Sequence, residues 1–504
     1  MKFRRLFALL SAVMMSTFAL SSCGSESSET SGNTVENNED PYEVVILNLG
    51  NGTDEALNLV SDEMSKITQE KLGNTTVKVM IISQGTYTEQ LNLMLSSGEQ
   101  VDIFNTYNNN LVTLKSASQI IPIDDLLQKY GQDILANIPE KYMAAGKVGS
   151  EQYGIPGNRG KGSGIGFFMV KEIADSLNVD VSTVKTYDDI EAVLTKVKEN
   201  YPDMYPLAPD VGGYNPMPNP YDKCYGYLGC LVNVYDGSTK LVNFYETDEY
   251  KEWTTHMYDW MQKGLVMPDG ASSTVTNKSL MAAGKAACAI RNTDPLPAAE
   301  WTNAVGKEVV VSELLTPYET YAATQHAGWQ SAISVTSEKP ERAMQVLNLM
   351  MTDADFMNLL TYGVEGVHYQ YKDKENDMIT YLDGQDATSV EYSAGCIGGS
   401  YPGGLIIHVP DGRPAGYWDQ VAEFNANCYI SPAYGFAWDN TAVLNEQVAC
   451  DNVISKYDTA LQCGMLDPET TIPEFLAELE AAGVDKILAE KQAQFDAWLA
   501  EKGE

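Results

Sequence analysis

Residues 153–168 read YGIPGNRGKGSGIGFF, with six glycines and two cations. A phosphate-binding loop of the form G-x-x-x-x-G-K-[ST] needs a lysine directly before Ser or Thr. Gly157 and Gly162 have the required spacing, but Ser163 takes the lysine position and Lys161 precedes the second glycine. A strand-like run, IGFFMV, follows where a dinucleotide-binding motif would open a helix. The stretch therefore does not indicate a phosphate site.

The other residues that could do chemistry form no recognisable catalytic or metal motif. The chain contains no H-E-x-x-H, G-x-S-x-G or calcium-loop pattern. Cys224 and Cys230 are too far apart for a zinc knuckle, and no histidine is near enough to complete a ligand set. We expect no catalytic residue, metal or cofactor, and we expect buried free thiols at the odd number of cysteines after Cys23.

The aromatic composition favours a ligand with hydroxyl groups. The chain has 29 Tyr and 7 Trp against 12 Phe. Tyr and Trp rings can stack on the apolar face of a sugar while their polar atoms form hydrogen bonds with its hydroxyls. The bias therefore points to sugar recognition, although most of these rings are expected to pack in cores or on the surface.

The charge of the chain argues against nucleic acid as a partner. The 504 residues include 33 Lys plus Arg and 69 Asp plus Glu, for a net charge of -36. Binding to phosphate backbones requires clustered cations, and this field repels polyanions and acidic lipids. We expect a solvated acidic surface and two or three domains.

The N-terminus predicts export and lipidation. A basic start precedes the apolar run LFALLSAVMMSTFAL, and LSSC, which ends at Cys23, resembles the bacterial lipobox. Residues 1–22 are expected to be a signal peptide, with the lipid attached to Cys23. The polar, acidic residues 23–40 cannot support a core and are predicted to be a disordered tether. A lipid anchor on the outer face of the cell membrane is thus the only membrane contact expected.

Strand and helix patterns alternate from Pro41 onward. YEVVILNLG predicts a buried strand, and the following segment predicts a helix that Thr53 caps and Gly73 ends. VKVMIIS and VDIFNTY predict further strands, and YTEQLNLMLSSG and IPIDDLLQKYGQDILANI predict helices. This alternation is typical of an α/β protein with a parallel sheet, whose ligands bind beyond the carboxyl ends of the strands.

An ordered series of motifs resembles the extracellular solute-binding lipoproteins of ABC importers. The lipobox and tether, VVILNLGNGTDEAL, VDIFNTY, YGIPGNRG and GWQSAISVTSEKPERAMQVLNLMMTD carry the resemblance in the first part of the chain. TYGVEGVHY, GFAWDNTAV and AAGVDKILAEKQAQFDAWL carry it in the C-terminal part. The series spans nearly the whole chain and is most similar to a large Gram-positive branch of the carbohydrate type.

The resemblance implies two α/β lobes that close by a hinge on a ligand in the cleft between them. By motif order, lobe one comprises residues 41–155 with a return segment at 312–365. Lobe two comprises residues 156–311 with a C-terminal segment at 366–504. The glycine-rich stretch then lies at the first crossing between the lobes, where glycine gives the backbone freedom to move.

The function implied is capture of a carbohydrate, in particular an oligosaccharide, by a monomer that delivers it to an ABC permease. The same architecture could instead serve a peptide receptor. A surface-anchored enzyme that degrades polysaccharide is the alternative from another class.

Candidate ligand-binding residues are polar or aromatic side chains that follow a predicted strand or lie at a crossing. Each could also be an ordinary cap or packing residue, as Thr53 is in its role as a helix cap. The two Trp residues are the most specific predictions, because truncating a stacked ring removes contact area. The full set is Asn51, Thr53, Asn105, Tyr107, Asn158, Arg159, Tyr214, Asn292, Trp329, Trp438 and Asp439.

Overall fold

A computed structural model gives the fold of most of the chain. Cys23, the predicted lipidation site, and Cys396 lie outside the described residues. Residues 38–40, which the composition assigned to the tether, instead begin the first strand, where Asn38 pairs with Gly73. The described residues are 38–107, 110–162, 164–293, 295–314, 321–322, 329–387, 389–394 and 401–502.

Strands are spread along the described part of the chain. They are β1 (Asn38–Gly52), β2 (Gly73–Ile82), β3 (Ile103–Asn105), β4 (Lys147–Val148), β5 (Glu151–Gln152), β6 (Gly154–Pro156), β7 (Gly164–Val170), β8 (Tyr205–Leu207), β9 (Leu228–Cys230), β10 (Val242–Asn243), β11 (Ala286–Thr293), β12 (Val309–Glu313), β13 (Tyr321–Ala322), β14 (Gln330–Ile333), β15 (Gln370–Asp373), β16 (Met378–Thr380), β17 (Tyr392–Ala394), β18 (Val409–Pro410) and β19 (Tyr429–Ile430).

Helices separate many of these strands and dominate the C-terminal part. They are α1 (Asp54–Leu72), α2 (Tyr87–Ser97), α3 (Leu111–Ser116), α4 (Asp124–Tyr130), α5 (Gln132–Asn137), α6 (Glu140–Met143), α7 (Lys171–Ser176), α8 (Tyr187–Asn200), α9 (Asp248–Gln262), α10 (Asn277–Ala282), α11 (Pro297–Val305), α12 (Pro340–Thr352), α13 (Ala354–Tyr362), α14 (Tyr417–Asn427), α15 (Leu444–Gln462), α16 (Pro468–Ala482) and α17 (Val484–Lys502).

The sheet of lobe one has the order β17-β1-β3-β14-β6, and β2 also pairs with β1. β1 runs parallel to β2 and β3. β14 runs antiparallel to β3 and β6, and β17 runs antiparallel to β1. The predicted parallel sheet is therefore correct for the first three strands and wrong for the others, since segments from distant parts of the chain complete this sheet.

The first helix begins and ends where its sequence predicts. The Thr53 side chain accepts a hydrogen bond from the Ala56 N–H at 3.2 Å, and Gly73 follows the helix with a φ of 76°. By contrast, the predicted helix over IPIDDLLQKYGQDILANI is two short helices, α4 and α5, on either side of Gly131. Glycine is a poor residue for a helix interior, which accounts for the interruption.

Lobe two contains a sheet of order β12-β7-β11-β8. β7, predicted from IGFFMV, is buried along its whole length and pairs antiparallel with β11, with Gly164 opposite Thr293. A Cβ on Gly166 would lie 2.7 Å from Thr293 Cγ2 and 3.0 Å from Val311 Cγ1, so this close approach requires glycine. The last two glycines of the stretch at residues 153–168, Gly164 and Gly166, thus lie in a packed strand.

Two main hydrophobic cores correspond to the two lobes. One contains β7, β11 and the C-terminal helices α15 to α17, and the other contains β1, β3 and α12. Tyr392, Ile407 and Tyr434 belong to this second core, with the first strands. This differs from the prediction that residues 366–504 all belong to lobe two, because β17 joins the edge of the lobe-one sheet.

The described cysteines agree with the expectation of buried free thiols. They form no disulfide and are all buried. No helix in the described ranges is long and apolar enough to cross a membrane. The residues concerned are Cys224, Cys230, Cys288, Cys428, Cys450 and Cys463.

Candidate functional site

An open cavity of about 480 Å³, called here the interlobe cavity, lies between the start of α3 in lobe one and several segments of lobe two. Asn110 and Thr113 contribute to it from lobe one, directly after β3. Its other walls combine aromatic rings with amide and carboxylate groups, the mixture that recognises a ligand with both apolar faces and hydroxyls. The lining residues are Asn110, Thr113, Tyr225, Gly226, Tyr227, Leu228, Tyr245, Trp438, Asn440, Gln447, Asp451 and Ile454.

Buried polar atoms without partners occur on three residues of this lining. Tyr245 Oη, Trp438 Nε1 and Gln447 Oε1 make no hydrogen bond within the described part of the chain. Leaving a buried polar atom unpaired costs about 1–3 kcal/mol, so a native site that holds several calls for an explanation. Hydroxyl groups of a bound ligand could accept from the two donors and donate to the amide oxygen.

Trp438 is fixed in place from both lobes. Its backbone carbonyl accepts a hydrogen bond from Asn110 Nδ2 at 3.0 Å. The ammonium nitrogen of Lys491 lies 4.6 Å from the centre of its ring and donates to the Leu228 carbonyl at 3.0 Å. Burial lowers the pKa of Lys491 to about 8, and the nearby Cys224 opposes this shift. The indole is therefore held rigidly at the wall of the cavity.

The turn that carries Tyr225 into the cavity has an unusual backbone. Cys224 and Tyr225 have φ values of 44° and 70°, a conformation that side chains other than glycine rarely adopt. The carboxylate of Asp222 accepts from the Cys224 N–H at 3.0 Å and from Ser431 Oγ at 2.7 Å. These bonds hold the turn, and strained backbone of this kind is concentrated at ligand-binding sites.

A second group of predicted residues forms around Trp329. Its ring packs edge-on against Tyr107 with 5.2 Å between the ring centroids. The Arg159 guanidinium lies 5.3 Å from the Trp329 ring, close enough for a cation–π contact. Tyr107 has a φ of 46°, and its N–H donates to Asn105 Oδ1 at 2.7 Å. The sequence therefore identified three residues that lie together, with Asn105 positioning one of them.

The crossing after β6 is held by backbone contacts to lobe one. The N–H of Gly157 donates to the Trp329 carbonyl at 3.0 Å, and that of Asn158 donates to the Tyr401 carbonyl at 3.0 Å. Lys161 is buried, and its ammonium group donates to the Gly157 carbonyl. Burial lowers the pKa of Lys161 to about 7, and the positive charge of Arg159 acts in the same direction.

A third group lies at the carboxyl end of β11. The Tyr214 hydroxyl donates to Asn292 Oδ1 at 2.6 Å. The Arg291 guanidinium stacks 4.6 Å from the centre of the Tyr214 ring and pairs with Asp210 at 2.9 Å. Burial raises the pKa of the Tyr214 hydroxyl, and Arg291 opposes this shift. Asn292 was expected after the strand but lies within it.

Three other predicted residues have local structural contacts. Asn51 lies inside β1 and pairs with Ser393, where the sequence analysis placed it after the strand. Thr53 caps α1. Asp439 accepts hydrogen bonds from the Thr441 N–H at 3.0 Å and hydroxyl at 2.5 Å, which lower the pKa of its carboxyl group. None of the three lines the interlobe cavity.

Sequence reasoning missed several residues of the cavity wall. Asn110 follows the predicted strand VDIFNTY and could have been found by the same rule that selected Tyr107. Tyr225 and Tyr227 lie in YDKCYGYLGC, where alternating aromatic and glycine residues gave no signal of their own. Tyr245 comes from a 3-10 turn before α9, and only the fold shows its position.

The described residues contain no group of three or more His, Cys, Asp or Glu side chains that could hold a metal ion. The site instead consists of rings, amides and isolated charges. Such groups bind by stacking and hydrogen bonding.

Comparison with known sequences identifies the class of protein. Residues 63–366 match the family described as bacterial extracellular solute-binding protein. This match covers more than half of the chain, which belongs to that family. Residues 432–500, which include Trp438, match a domain of unknown function. The expected family and its two-lobe α/β fold are thereby confirmed.

Individual relatives agree with this assignment. The chain is 26% identical over 447 residues to a carbohydrate ABC transporter substrate-binding protein of Streptococcus pneumoniae serotype 4, a match that covers 87% of each chain. The crystal structure of an N-glycan transport solute binding protein from Streptococcus pneumoniae superposes with a TM-score of 0.77 at 23% identity, covering 92% of this chain and all of that one. An HMO-binding solute binding protein from Bifidobacterium longum infantis superposes with a TM-score of 0.60 at 15% identity. The superposition covers 91% of this chain and 99% of that one.

Proposed function

We propose that this chain is a lipid-anchored extracellular solute-binding protein that captures an oligosaccharide and delivers it to the permease of an ABC importer. The observation that carries the proposal is the lining of the interlobe cavity, which combines aromatic residues with three buried polar atoms that find no hydrogen-bond partner among the described residues. A polyhydroxylated ligand satisfies both features at once. The carbohydrate named for the Streptococcus pneumoniae relative and the N-glycan named for the structural neighbour support the same ligand class.

Ligand binding is the whole activity proposed, without a chemical step. The family to which the chain belongs is described as solute-binding, and capture and delivery of a sugar require no chemical step. Prolonged incubation with oligosaccharides, followed by product analysis, should return the sugars intact. Turnover that one Asp or Glu substitution abolishes would establish the enzyme alternative instead.

Thermal unfolding in the presence of ligands tests the ligand class. A ligand that binds only the folded state stabilises it by about 2.7 kcal/mol at a hundredfold excess over its Kd. We expect neutral oligosaccharides to raise the melting temperature and peptides of similar mass to leave it unchanged. A rise with peptides alone would favour the peptide-receptor alternative.

The proposed anchor depends on Cys23, in the motif LSSC. Cys23→Ala should move the protein from the membrane fraction to the medium, because acyl chains supply the membrane affinity. Ser22→Ala is the matched control and should leave the protein with the membrane. Unchanged membrane retention of Cys23→Ala would contradict lipid anchoring at this residue.

A further inference from the structure

A second cavity, of about 390 Å³, lies beside the edge of the lobe-one sheet and shares no lining residue with the interlobe cavity. Ser393 in its wall pairs with Asn51 at the carboxyl end of β1, the end at which α/β sheets bind ligands. Its lining residues are Thr361, Tyr362, His368, Tyr369, Ile379, Thr380, Tyr381, Ala387, Tyr392, Ser393, Ala394, Pro410 and Asp411.

Tyrosine rings form rigid walls for this second cavity. The Tyr362 hydroxyl donates to the His408 carbonyl at 3.0 Å, and the Tyr392 hydroxyl donates to the Leu360 carbonyl at 2.7 Å. The Tyr369 hydroxyl lies 3.3 Å from His408 Nε2. Because their hydroxyls are engaged with the protein, these residues present ring surface to a ligand.

His368 supplies a hydrogen-bond donor that the described residues leave unused. Its side chain is 98% buried, since only 2% of the residue is exposed. Its Nδ1 accepts the Val364 N–H at 2.9 Å, so the proton of the neutral imidazole lies on Nε2. Nε2 has no hydrogen-bond partner among the residues that the structure describes. Burial lowers the pKa of His368 against the opposing effect of Glu391, which favours this neutral form.

The backbone around His368 fixes the direction of that donor. Gly363 has a φ of 80°, and a Cβ at this position would collide with Nδ1 of the imidazole. The ring also packs against Tyr392, with 5.6 Å between ring centroids. A donor of fixed orientation that no described residue accepts, on a residue that lines a cavity, calls for an acceptor from outside the chain.

The other polar groups of the cavity indicate a neutral ligand. Among the described residues that line it there is no lysine or arginine, which disfavours an anion. The one carboxylate in that described lining, Asp411, is already paired with Lys372 Nζ at 2.6 Å, which weakens the attraction for a cation. The hydroxyls of Thr380 and Ser393 can both donate and accept.

We propose that this cavity is a second saccharide subsite, which binds one neutral pyranose unit between tyrosine rings while His368 Nε2 donates to a sugar oxygen. This inference rests on the proposed carbohydrate function and adds a second place at which the protein contacts a sugar. The two cavities would then let one protein hold separate sugar units, each with its own aromatic walls.

NMR of the imidazole groups tests this subsite directly, because the chain has 4 histidines and His368→Gln identifies the signal of His368. The probes are the methyl glycosides of glucose, galactose, mannose and N-acetylglucosamine at millimolar concentration. At least one glycoside should shift the His368 signals saturably. Tyr381→Ala, which removes a half-exposed ring from the wall, should weaken that response about tenfold.

Two control variants separate local binding from a distant response. Tyr258→Ala, on α9 and outside both linings, should leave the His368 response unchanged. Trp438→Phe, in the interlobe cavity, should also leave it unchanged. A response lost in Trp438→Phe would show that His368 reports on the first cavity, and the second subsite would then be refuted.

The remaining outcomes distinguish failure of this inference from failure of the proposed function. If calorimetry shows oligosaccharide binding but no glycoside moves the His368 signals, the second subsite is wrong and the carbohydrate function stands. If no sugar binds by either method, both are wrong. Choline is the cationic probe, and a His368 shift with choline but not with glycosides would make the cavity a cation site instead.

Discussion

Trp438 belongs to both a core and a site. Only 7% of the residue is exposed, and its ring packs in the lobe-two core against Lys491. Its Nε1 nevertheless has no hydrogen-bond partner among the described residues, and the residue lines the interlobe cavity. Removing the whole ring would disturb the core, so the binding role has to be tested by a substitution that keeps the volume.

Trp438→Phe should weaken oligosaccharide binding about tenfold, because it removes the indole donor while retaining an aromatic ring. The matched control is Trp253→Phe. Trp253 also has a buried Nε1 without a partner, yet it lies outside the lining of that cavity. Titration of both variants with the same sugar measures the difference. Equal affinities would remove Trp438 from the site.

Loss of the hydroxyl should weaken sugar binding at one of two neighbouring tyrosines and lower stability at the other. Tyr245→Phe removes a hydroxyl without a partner from the cavity and should weaken sugar binding while leaving stability nearly unchanged. Tyr250 donates to Asp458 at 2.8 Å, so Tyr250→Phe should lower the free energy of unfolding by about 1–3 kcal/mol.

Calorimetric titration with sugar and urea unfolding of both tyrosine variants provide the comparison. The two effects should separate, with the loss of affinity in Tyr245→Phe and the loss of stability in Tyr250→Phe. A Tyr245→Phe variant that is destabilised but binds normally would assign its hydroxyl to the fold.

At the scale of elements, the crossing between β6 and β7 contains a buried amine. Lys161 lies near Arg159. Its ammonium group donates to the Gly157 carbonyl and lies 5.5 Å from the centre of the Tyr142 ring. Its N–H donates to Asn425 Oδ1 at 2.7 Å. The glycine-rich stretch thus anchors the crossing through one internal lysine.

The stability of the wild type should rise relative to Lys161→Met as the pH increases. The pKa of Lys161 is about 7 in the folded protein, below the value of about 10.4 for an unperturbed lysine. Between these values the unfolded chain binds more protons, so raising the pH relieves a cost that is fully present below the folded pKa.

Urea unfolding from about pH 6, below the folded pKa of Lys161, to about pH 9.5, between the folded and unfolded values, measures the effect. Lys78→Met, at an exposed position of β2, is the control. Its free energy of unfolding should change with pH in the same way as that of the wild type. Parallel curves for wild type and Lys161→Met would show that the amine titrates alike in the folded and unfolded states.

Local signals predicted the elements that depend on neighbouring residues. Thr53 and Gly73 mark the start and the end of α1, and the sequence IGFFMV forms the buried strand β7. Partners far along the chain were not predictable in this way. β17 joins β1, and β14 lies between β3 and β6, because strand pairing depends on where distant segments pack.

At the scale of the whole molecule, contacts between distant segments also decide which residues form the site. Tyr107, Arg159 and Trp329 were predicted from strand ends and a crossing, and they lie together. The interlobe cavity combines Asn110 with Tyr225 and other residues from segments hundreds of positions apart. No spacing rule relates these segments, so only the folded chain shows that their unpaired polar groups share a cavity.

Calorimetric titration of the full chain tests the proposed capture of an oligosaccharide. Oligosaccharides and peptides of similar mass are titrated in parallel under the same conditions. We expect saturable binding of at least one oligosaccharide, with a negative heat-capacity change from the burial of apolar ring faces, and no binding of the peptides. Saturable binding of a peptide with no response to any oligosaccharide would contradict it.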